Sequence, residues 1–418
     1  MKRFYQLLCL QALFSLSLTA QSNRYIDSLY STVTRHYNLP FGAAAPHNSS
    51  TVDTLRMDIY EPQGDTTTLR PLVIAVFGGS FISGSKNASD IAAWCNTLAK
   101  RGYVTAAPNY RLGFTLTQSG ASVRAGYRAI QDVRAAVRYL KANATQYGID
   151  TTKIYMVGNS AGAITALQVA FATDINRPAE SYGIPNSGAD TTDLGCMDCS
   201  TNSLPHTVSV QGVVGLWGAL LNLGMIDSSD RTKTLLIHGD ADNVVPIDSN
   251  HAFNNPFFPM MYGSRIMKPR LDSFGLYSEL RVYAGQPHNF YYNGSTFPNA
   301  YWDTIRQQGI NFLCRINPAC NSSLLVNVSE SAQTELPTLS LYPNPSNNEL
   351  NLILDKPYNP SDVQIAIYNL QGQAMQVSSQ IYDQNVQIAT NTLSNGMYVL
   401  QVRTPTGQAN QKFIVQHP

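Results

Sequence analysis

The stretch Lys153-Ile154-Tyr155-Met156-Val157-Gly158-Asn159-Ser160-Ala161-Gly162 decides the fold. Its first half is a short, apolar, β-branched run, which is typical of a buried strand. A Gly-x-Ser-x-Gly motif follows at once, and an alanine-rich helical run occupies 163–172. A sharp strand-to-helix turn of this kind lifts the serine hydroxyl above the edge of a sheet, so Ser160 is a candidate nucleophile. The motif alone is weak, because a capping serine in an ordinary turn has the same pattern.

Length and charge set broad limits on the protein. The chain has 418 residues, which is room for two domains. Its formal net charge is +1 and only 13% of its residues are charged. This balance predicts no nucleic-acid partner and no acidic partner.

The amino terminus predicts export. Met1-Lys2-Arg3 is basic, the run 7–20 is apolar but too short to span a bilayer, and Ala20 offers a small residue at a cleavage point. We therefore expect a signal peptide at 1–20, which is excluded from the fold. No later run is long and apolar enough to predict a transmembrane span.

Export also permits disulfide bonds. Cys314 and Cys320 flank a short segment and are expected to pair. Cys196 and Cys199 form an isolated C-x-x-C in a polar loop, which favours a local disulfide over a zinc or redox site. Cys95 then remains, and we expect it to be a buried small hydrophobe.

Strand-like and helix-like runs alternate from residue 55 onward. Besides the strand before Ser160, the predicted strands are 55–60, 71–77, 103–107, 208–217, 234–238 and 280–283, and the predicted helices are 91–101, 125–140, 163–172 and 301–314. This alternation predicts an α/β fold with a mostly parallel sheet flanked by helices. In such sheets the chemistry gathers at the carboxyl ends of the strands.

The first loop at such a strand end is Phe77-Gly78-Gly79-Ser80-Phe81. Its glycine-rich backbone can present N–H groups to a developing oxyanion, together with the N–H of Ala161. The alternative is a plain turn with two glycines. A phosphate loop is disfavoured, because the segment lacks the Lys-Ser/Thr ending that such loops carry.

The second loop, 238–246, offers a carboxylate that would orient a catalytic histidine. Asp242 lies in the loop proper, whereas Asp240 is nearer the strand and suits turn hydrogen bonds. We therefore favour Asp242 over Asp240 as the catalytic acid.

The third loop, 284–290, contains the candidate base. The chain order serine, acid, histidine leaves only His251, His288 and His417. His417 is terminal and His251 has no predicted strand before it, whereas His288 follows a strand and a Gly/Pro loop. We predict His288 as the base, the alternative being a solvated loop histidine.

The segment 55–316 resembles the α/β-hydrolase fold in its carboxylesterase/lipase branch. The motifs that carry the resemblance are Met57-Asp58-Ile59-Tyr60-Glu61-Pro62, Phe77-Gly78-Gly79-Ser80-Phe81, Asn109-Tyr110-Arg111 and the segment 132–162. They resemble, in that order, the entry strand, the His-Gly-Gly-Gly-Phe/Trp oxyanion loop, the residues after the next strand, and the helix and elbow around the nucleophile.

The resemblance implies a role for each candidate residue. Ser160 would be the nucleophile, Asp242 the acid and His288 the base, and the N–H groups of Gly79, Ser80 and Ala161 would form the oxyanion hole. The chain departs from the family pattern, with Phe77 in place of His and Ser80 in place of the third Gly. Because the donors are backbone groups, the hole can survive these changes, and the N–H of Phe81 is a further candidate donor.

The implied reaction is ester hydrolysis through an acyl-enzyme, with an ester substrate and neither metal nor organic cofactor. Acetyl or feruloyl esters of polysaccharides are the class that this resemblance suggests for an exported esterase, and polyester, lipid and xenobiotic esters are open alternatives. A serine peptidase or an acyltransferase would share the same triad, although related peptidases usually add a propeller domain. A surface adhesin with an inactive hydrolase domain is a third reading, disfavoured because the three triad candidates occur in order.

Two segments within the catalytic half are expected to shape the substrate pocket. The polar segment 174–206 is a candidate cap. The aromatic-rich segment 251–277 either lines an acyl pocket or packs as ordinary core.

The composition changes after Cys320, so we predict a catalytic domain at 21–320, a linker at 321–337 and a further domain at 338–418. The predicted strands of this last domain are 339–342, 349–354, 363–368, 385–388, 397–402 and 412–415, a small all-β antiparallel sandwich. A carbohydrate-binding or adhesive module is one interpretation.

Four motifs instead resemble the C-terminal sorting domain of type IX secretion. They are Leu341-Tyr342-Pro343-Asn344-Pro345, 367–372, 393–398 and Lys412-Phe413-Ile414-Val415. The resemblance implies that residues 338–418 interact with the type IX secretion machinery. The protein would then pass through the periplasm and be released or attached at the outer surface.

Overall fold

The computed structural model describes residues 24–185, 188–321, 340–354, 358–369, 373–382, 384–404 and 407–417. The expected signal peptide and almost all of the expected linker lie outside the described residues. The described residues form two compact units, one up to residue 321 and the other from residue 340.

The first unit is built on one eight-stranded sheet with strand order β1-β2-β4-β3-β5-β6-β8-β11, and it also holds a three-stranded sheet of order β7-β10-β9. The strands are β1 (Val33–Ala44), β2 (Asp53–Pro62), β3 (Arg70–Val76), β4 (Val104–Pro108), β5 (Ile149–Asn159), β6 (Gly212–Leu216), β7 (Ala219–Leu220), β8 (Lys233–Gly239), β9 (Ser249–His251), β10 (Met260–Gly263) and β11 (Ser278–Tyr283). In the large sheet β1, β2 and β4 pair antiparallel, and every other pair is parallel.

Helices connect and cover these strands. They are α1 (Ser89–Ala99), α2 (Ala121–Ala142), α3 (Ala144–Tyr147), α4 (Ala161–Phe171), α5 (Ser264–Ser273) and α6 (Ala300–Ile316). Strands β3, β4 and β6 are buried at every residue, so both faces of the sheet are covered. The expected α/β class with a mostly parallel sheet is confirmed.

Strand β1 was not predicted from the sequence. It contains Pro40 and Gly42, its pairing with β2 shifts register twice, and many of its residues are exposed at the edge of the sheet. Such a strand carries little of the apolar alternation that identifies strands in a sequence. The predicted strand 208–217 is shorter than expected, since β6 begins only at Gly212.

The polar segment 174–206 is bound to helix α2. It contains short 3-10 helices and the Cys196–Cys199 disulfide. Gln131 of α2 donates to the carbonyls of Leu194 and Cys196, and Arg138 donates to Asn202. None of its described residues lines the two cavities beside Ser160, so the expectation of a cap over the site is wrong.

The remaining cysteines behave as expected. Cys314 at the end of α6 is bonded to Cys320, and Cys95 is free and buried in α1. Within the described ranges, no helix combines the length and the apolar character needed to cross a membrane.

The second unit consists of two antiparallel four-stranded sheets, β12-β13-β17-β16 and β15-β14-β18-β19. The strands are β12 (Ser340–Tyr342), β13 (Glu349–Ile353), β14 (Gln364–Asn369), β15 (Ala374–Met375), β16 (Ser379–Tyr382), β17 (Asn385–Ala389), β18 (Gly396–Thr404) and β19 (Gly407–Val415). Leu352 and Val386 from one sheet share a core with Ile367 and Leu400 from the other. The all-β arrangement is as predicted, but the short strands β15 and β16 were missed.

Candidate active site

Ser160 lies at the junction of β5 and α4, where the chain turns sharply. Its φ of 52° is in the left-handed region that non-glycine residues rarely adopt. A Cβ at Gly158 would lie 2.5 Å from the carbonyl oxygen of Gly162, and one at Gly162 would lie 2.1 Å from that of Val76. Both glycines of the motif are therefore required by close backbone packing, and they hold the serine in its strained turn.

His288 connects Ser160 to Asp242. Its Nε2 lies 2.8 Å from Ser160 Oγ, and its Nδ1 lies 2.7 Å from Asp242 Oδ2. An ionised carboxylate can only accept, so Nδ1 donates to Asp242 and Nε2 is left to accept the serine proton. The structure thus brings the three predicted side chains into one hydrogen-bonded chain.

Asp242 is held by its own loop as well as by His288. Its Oδ1 accepts from the backbone N–H groups of Val244 and Val245, at 2.8 and 3.0 Å. Burial opposes its ionisation, but hydrogen bonds from His238 and His288 outweigh burial and hold the pKa of Asp242 well below its usual range. Asp240 instead accepts from Gly285 N at 2.6 Å, the turn contact that the sequence suggested.

His238 was not identified from the sequence as part of the site. It is fully buried, and its Nε2 lies 3.2 Å from Asp242 Oδ2 and 3.0 Å from the Val245 carbonyl oxygen. Its Nδ1 lies 2.8 Å from Ser264 Oγ. The sequence feature that could have identified His238 is its position at the end of an otherwise apolar strand, four residues before Asp242.

The other two candidate histidines make different contacts. His251 Nδ1 lies 2.6 Å from the carbonyl oxygen of Phe258. His417 belongs to the second unit, where its Nε2 lies 2.7 Å from the carbonyl oxygen of Leu393.

The predicted oxyanion loop has an unusual backbone. Gly79, Ser80 and Phe81 all have positive φ, at 120°, 54° and 62°. Among the described residues, the N–H groups of these three find no hydrogen-bond acceptor. Ala161 is the first residue of α4, where an N–H has no partner within the helix. These backbone donors are therefore free for a ligand.

The loop is anchored on both sides. A Cβ at Gly78 would lie 3.1 Å from Ser160 Cβ, so the loop packs directly against the elbow. Phe77, the residue that departs from the family pattern, stacks on Tyr110 with ring centroids 4.2 Å apart, and the Tyr110 hydroxyl donates to the Phe77 carbonyl at 2.9 Å. Aromatic stacking thus supports the loop where the family pattern has histidine.

Two cavities meet at Ser160. One is apolar, about 170 Å³ in volume, and has Phe81, Phe114 and Ile164 in its wall. The aromatic segment contributes Phe253, Phe258 and Met261 to this wall, whereas Phe257 does not line it. Part of the 251–277 segment therefore lines a pocket, as one of its two interpretations predicted.

The second cavity is an open cleft of about 490 Å³ with polar groups in its wall. His288, Asn289, Tyr292 and Ser295 line this cleft but not the apolar cavity. The imidazole of His288 is therefore reached from the open cleft and not from the apolar cavity. In the part of the chain that the structure describes, no three His, Cys, Asp or Glu side chains are grouped to hold a metal ion.

Two family models match the chain. Residues 57–233 match the family BD-FAE, and residues 340–416 match the secretion system C-terminal sorting domain. The first match includes Ser160 and the oxyanion loop and ends before Asp242 and His288.

Relatives among curated proteins match half of the chain or less. The chain is 25% identical over 224 residues to the neuroligin-like protein glit-1 of Caenorhabditis elegans, covering 50% of this chain and 30% of that protein. It is 33% identical over 143 residues to carboxylesterase 3B of Mus musculus, covering 34% of this chain and 24% of that protein. The chain thus spans less than a third of the length of these relatives.

Among solved structures, esterase 2 of Thermogutta terrifontis phosphorylated by paraoxon aligns with 66% of this chain and 95% of its own, with 19% identity and a TM-score of 0.48. The resemblance expected from the motifs is confirmed by the two family matches. The sorting domain indicates a protein that is secreted or attached to the outer surface. The first unit is therefore similar to the BD-FAE family over residues 57–233, and the second unit is similar to a secretion system C-terminal sorting domain over residues 340–416.

Proposed function

We propose that the protein is a secreted serine carboxylesterase that hydrolyses carboxylic esters through an acyl-enzyme on Ser160. The observation that carries this proposal is the continuous hydrogen-bonded chain from Ser160 Oγ through His288 to Asp242. It has the geometry that nucleophilic catalysis by serine requires, with the base within 3 Å of the nucleophile and the acid on the far ring nitrogen.

In the first half of the reaction, Ser160 Oγ attacks the ester carbonyl carbon while His288 Nε2 takes the hydroxyl proton. The carbonyl π electrons move to oxygen, and the free N–H groups of Gly79, Ser80 and Ala161 stabilise that oxyanion. The tetrahedral intermediate then collapses, the bond to the alcohol oxygen breaks, and His288 delivers its proton to the departing alcohol. Asp242 stabilises the imidazolium and fixes its orientation.

The second half repeats these steps with water. His288 removes a proton from water as the water oxygen attacks the acyl carbon of the ester on Ser160. Collapse of the second intermediate breaks the bond to Oγ, which recovers its proton from His288. The carboxylic acid leaves, and the enzyme returns to its starting state.

The two cavities support a proposal for where the two halves of the ester bind. The alcohol receives its proton from His288, and His288 lines the open cleft but not the apolar cavity, so we place the alcohol in the open cleft. The acyl group then enters the apolar cavity of about 170 Å³. An apolar cavity of about 150 Å³ binds benzene, so this one suits a short acyl chain or a single ring.

This arrangement favours esters of small acyl groups with larger, hydroxyl-rich alcohols. Asn289, Tyr292 and Ser295 offer hydrogen-bonding groups along the alcohol cleft. Acetyl or feruloyl esters of polysaccharides are the proposed class, since the hydroxyl groups of a sugar chain can form hydrogen bonds with these side chains along the open cleft. We further propose that residues 338–418 direct export through the type IX secretion machinery.

The test is hydrolysis of a p-nitrophenyl ester series, from acetate to decanoate, by the mature chain and by Ser160→Ala. Ser228→Ala, at an exposed serine, is the matched control. We expect activity in the wild type and the control and a loss of about 10³-fold or more in Ser160→Ala. Equal rates in all three folded proteins would remove Ser160 from the mechanism and favour the inactive-adhesin alternative.

Product analysis separates the remaining alternatives. Release of free acid from esters, with no cleavage of peptides and no transfer of the acyl group to added alcohols, supports the esterase. Dominant peptide cleavage or acyl transfer would instead establish the peptidase or the acyltransferase with the same triad.

A further inference from the structure

Helix α2 separates the apolar acyl cavity from a second, unrelated cavity. Gly126 lines the acyl cavity, whereas Arg124 and Arg128, one helical turn apart, line a polar cavity of about 880 Å³. Arg111 also lines this polar cavity, together with residues 43–50 and 199–201. Three guanidinium groups therefore share one wall.

Two of these arginines are matched by carboxylates. Arg111 is paired with Asp132 at 2.9 Å, and Arg124 is paired with Asp190 at 3.1 Å. Arg124 also donates to the carbonyls of Glu180 and Thr192. The charges of Arg111 and Arg124, and most of their N–H donors, therefore have partners within the protein.

Arg128 is different. It is only 4% exposed, yet the one hydrogen bond that it makes to a described residue runs from Nη2 to the carbonyl oxygen of Gly113, at 2.7 Å. Its Nε is buried without an acceptor, and among the described residues no carboxylate forms an ion pair with it. A buried charge is normally paired, because removing it from water is costly.

The other charged groups of this cavity do not supply the missing partner. Asp193 lines the cavity but is paired with Arg177. Burial, followed by the charge of Arg128, lowers the pKa of His47 below its ordinary value and so disfavours a positive charge on this imidazole. Burial and the neighbouring arginines, Arg111 first, lower the pKa of Arg128 to about 10, which leaves it charged at neutral pH. Asp190 and Asp132 lie near enough to favour the charged form of Arg128, but among the described residues neither forms an ion pair with it.

We propose that this cavity is a binding site for an oxyanion, held by the guanidinium of Arg128. A planar guanidinium with free N–H groups matches carboxylate, phosphate or sulfate oxygens in a two-point contact. The volume of about 880 Å³ also admits a ring that bears such a group, for example a sugar acid. The site does not involve Ser160 and is independent of the proposed esterase function.

The test is isothermal titration of the mature full-length chain with inorganic phosphate, acetate and glucuronate, at constant ionic strength set with chloride. Arg128→Gln removes the charge and keeps much of the side chain's length. Arg231→Gln, at an exposed arginine outside the cavity, is the matched control. We expect binding by the wild type and the control, and affinity at least about tenfold weaker in Arg128→Gln.

Comparison of the three anions distinguishes two classes of ligand, an acidic sugar and a free oxyanion. Binding of glucuronate tighter than phosphate and acetate identifies an acidic sugar, and tighter binding of phosphate identifies a free oxyanion. Undiminished affinity in Arg128→Gln, or no binding of any anion by the wild type, would overturn the proposal. Hydrolysis of p-nitrophenyl acetate should be unchanged in Arg128→Gln, because Arg128 lines neither cavity at Ser160.

A folding failure of Arg128→Gln would not leave the proposal undecided. Competition in the wild type then tests it, because phosphate and glucuronate held by one guanidinium must displace each other. Mutual displacement, together with weaker binding in Arg128→Lys, supports the site. Independent binding of the two anions contradicts it.

Discussion

The hydroxyl of Tyr291 donates a 2.7 Å hydrogen bond to the carboxylate of Asp90. This contact joins the loop that carries His288 to the first turn of helix α1. The same carboxylate oxygen of Asp90 accepts from Asn159 Nδ2 at 2.5 Å, and Asn159 directly precedes Ser160. The segments that carry the proposed nucleophile and base therefore meet on one buried aspartate, which is 1% exposed.

Asp90 should make stability depend on pH. Burial, the largest influence, raises its pKa above the ordinary value, although hydrogen bonds from Tyr291 and Tyr292 oppose the rise. The unfolded chain loses this proton near pH 4, before the folded chain does, so the wild type should lose stability as pH rises through that window. Asp90→Asn removes this titrating group, because an amide does not ionise in this pH range. We expect its stability relative to the wild type to increase from pH 4 upward and then to level off above the raised pKa.

Urea unfolding followed by tryptophan fluorescence measures this effect. Trp94, Trp217 and Trp302 are the three tryptophans of the chain and all lie in the first unit, so the signal reports that unit. Asp303→Asn, at an exposed position of α6, controls for the loss of one charge. A constant stability difference between Asp90→Asn and the wild type across this pH range would contradict the expectation.

Asp242→Asn should reduce kcat by about 10³- to 10⁴-fold, because an amide no longer stabilises the imidazolium or holds the required tautomer of His288. Asp240→Asn is the matched control, since the Asp240 carboxylate accepts a turn hydrogen bond from Gly285 N and an amide oxygen can take its place. Steady-state hydrolysis of p-nitrophenyl acetate compares the two variants. A similar loss in both would mean that the loop as a whole, not Asp242, is required.

Gly79→Ala should impair catalysis more than folding. The residue has φ +120°, and its new Cβ would lie 2.2 Å from the carbonyl oxygen of Ser83, so the loop must move. Displacing a preorganised oxyanion donor costs about 10²–10³ in rate. Gly64→Ala is the control, because Gly64 also has positive φ, +80°, but its Cβ would meet nothing within 4 Å. Full activity in Gly79→Ala would exclude this loop from the oxyanion hole.

Gly126→Ala should narrow the acyl cavity and stabilise the protein. Its Cβ would lie 3.6 Å from the Phe81 ring, an ordinary contact, and alanine in a helix interior is favoured over glycine by about 0.4–1 kcal/mol. We expect kcat/KM to fall for long acyl chains relative to acetate, together with a higher Tm.

Gly309→Ala provides the contrast within helix α6. Its Cβ would lie 2.6 Å from Trp94 Cη2, so it should lower Tm. It lines neither cavity, so it should leave the chain-length profile unchanged. An unchanged profile in Gly126→Ala would show that acyl chains do not enter the cavity beside α2.

The local sequence was sufficient to predict the framework of both units. The apolar run 71–77 predicted β3, because a strand that is buried on both faces is apolar at nearly every position. The residues 125–140 predicted α2, because apolar residues at helical spacing mark the buried face of a helix. The Gly-x-Ser-x-Gly motif between a strand and a helix indicated the elbow at Ser160 before any contact was known. The choice of Asp242 over Asp240 came from turn chemistry in the same way.

Tertiary structure decided what depends on contacts between distant segments. No pattern in the sequence indicates that His238 lies beside Asp242 or that Tyr291 bonds to Asp90. None indicates either that Arg128 lines a cavity without a carboxylate partner of its own. These relationships arise only when strands and loops far apart in the chain pack together, since a side chain's partner is set by the folded backbone. The composition and the spacing of apolar residues predicted which helices and strands form. Three-dimensional packing determined which polar groups meet and which are left without a partner.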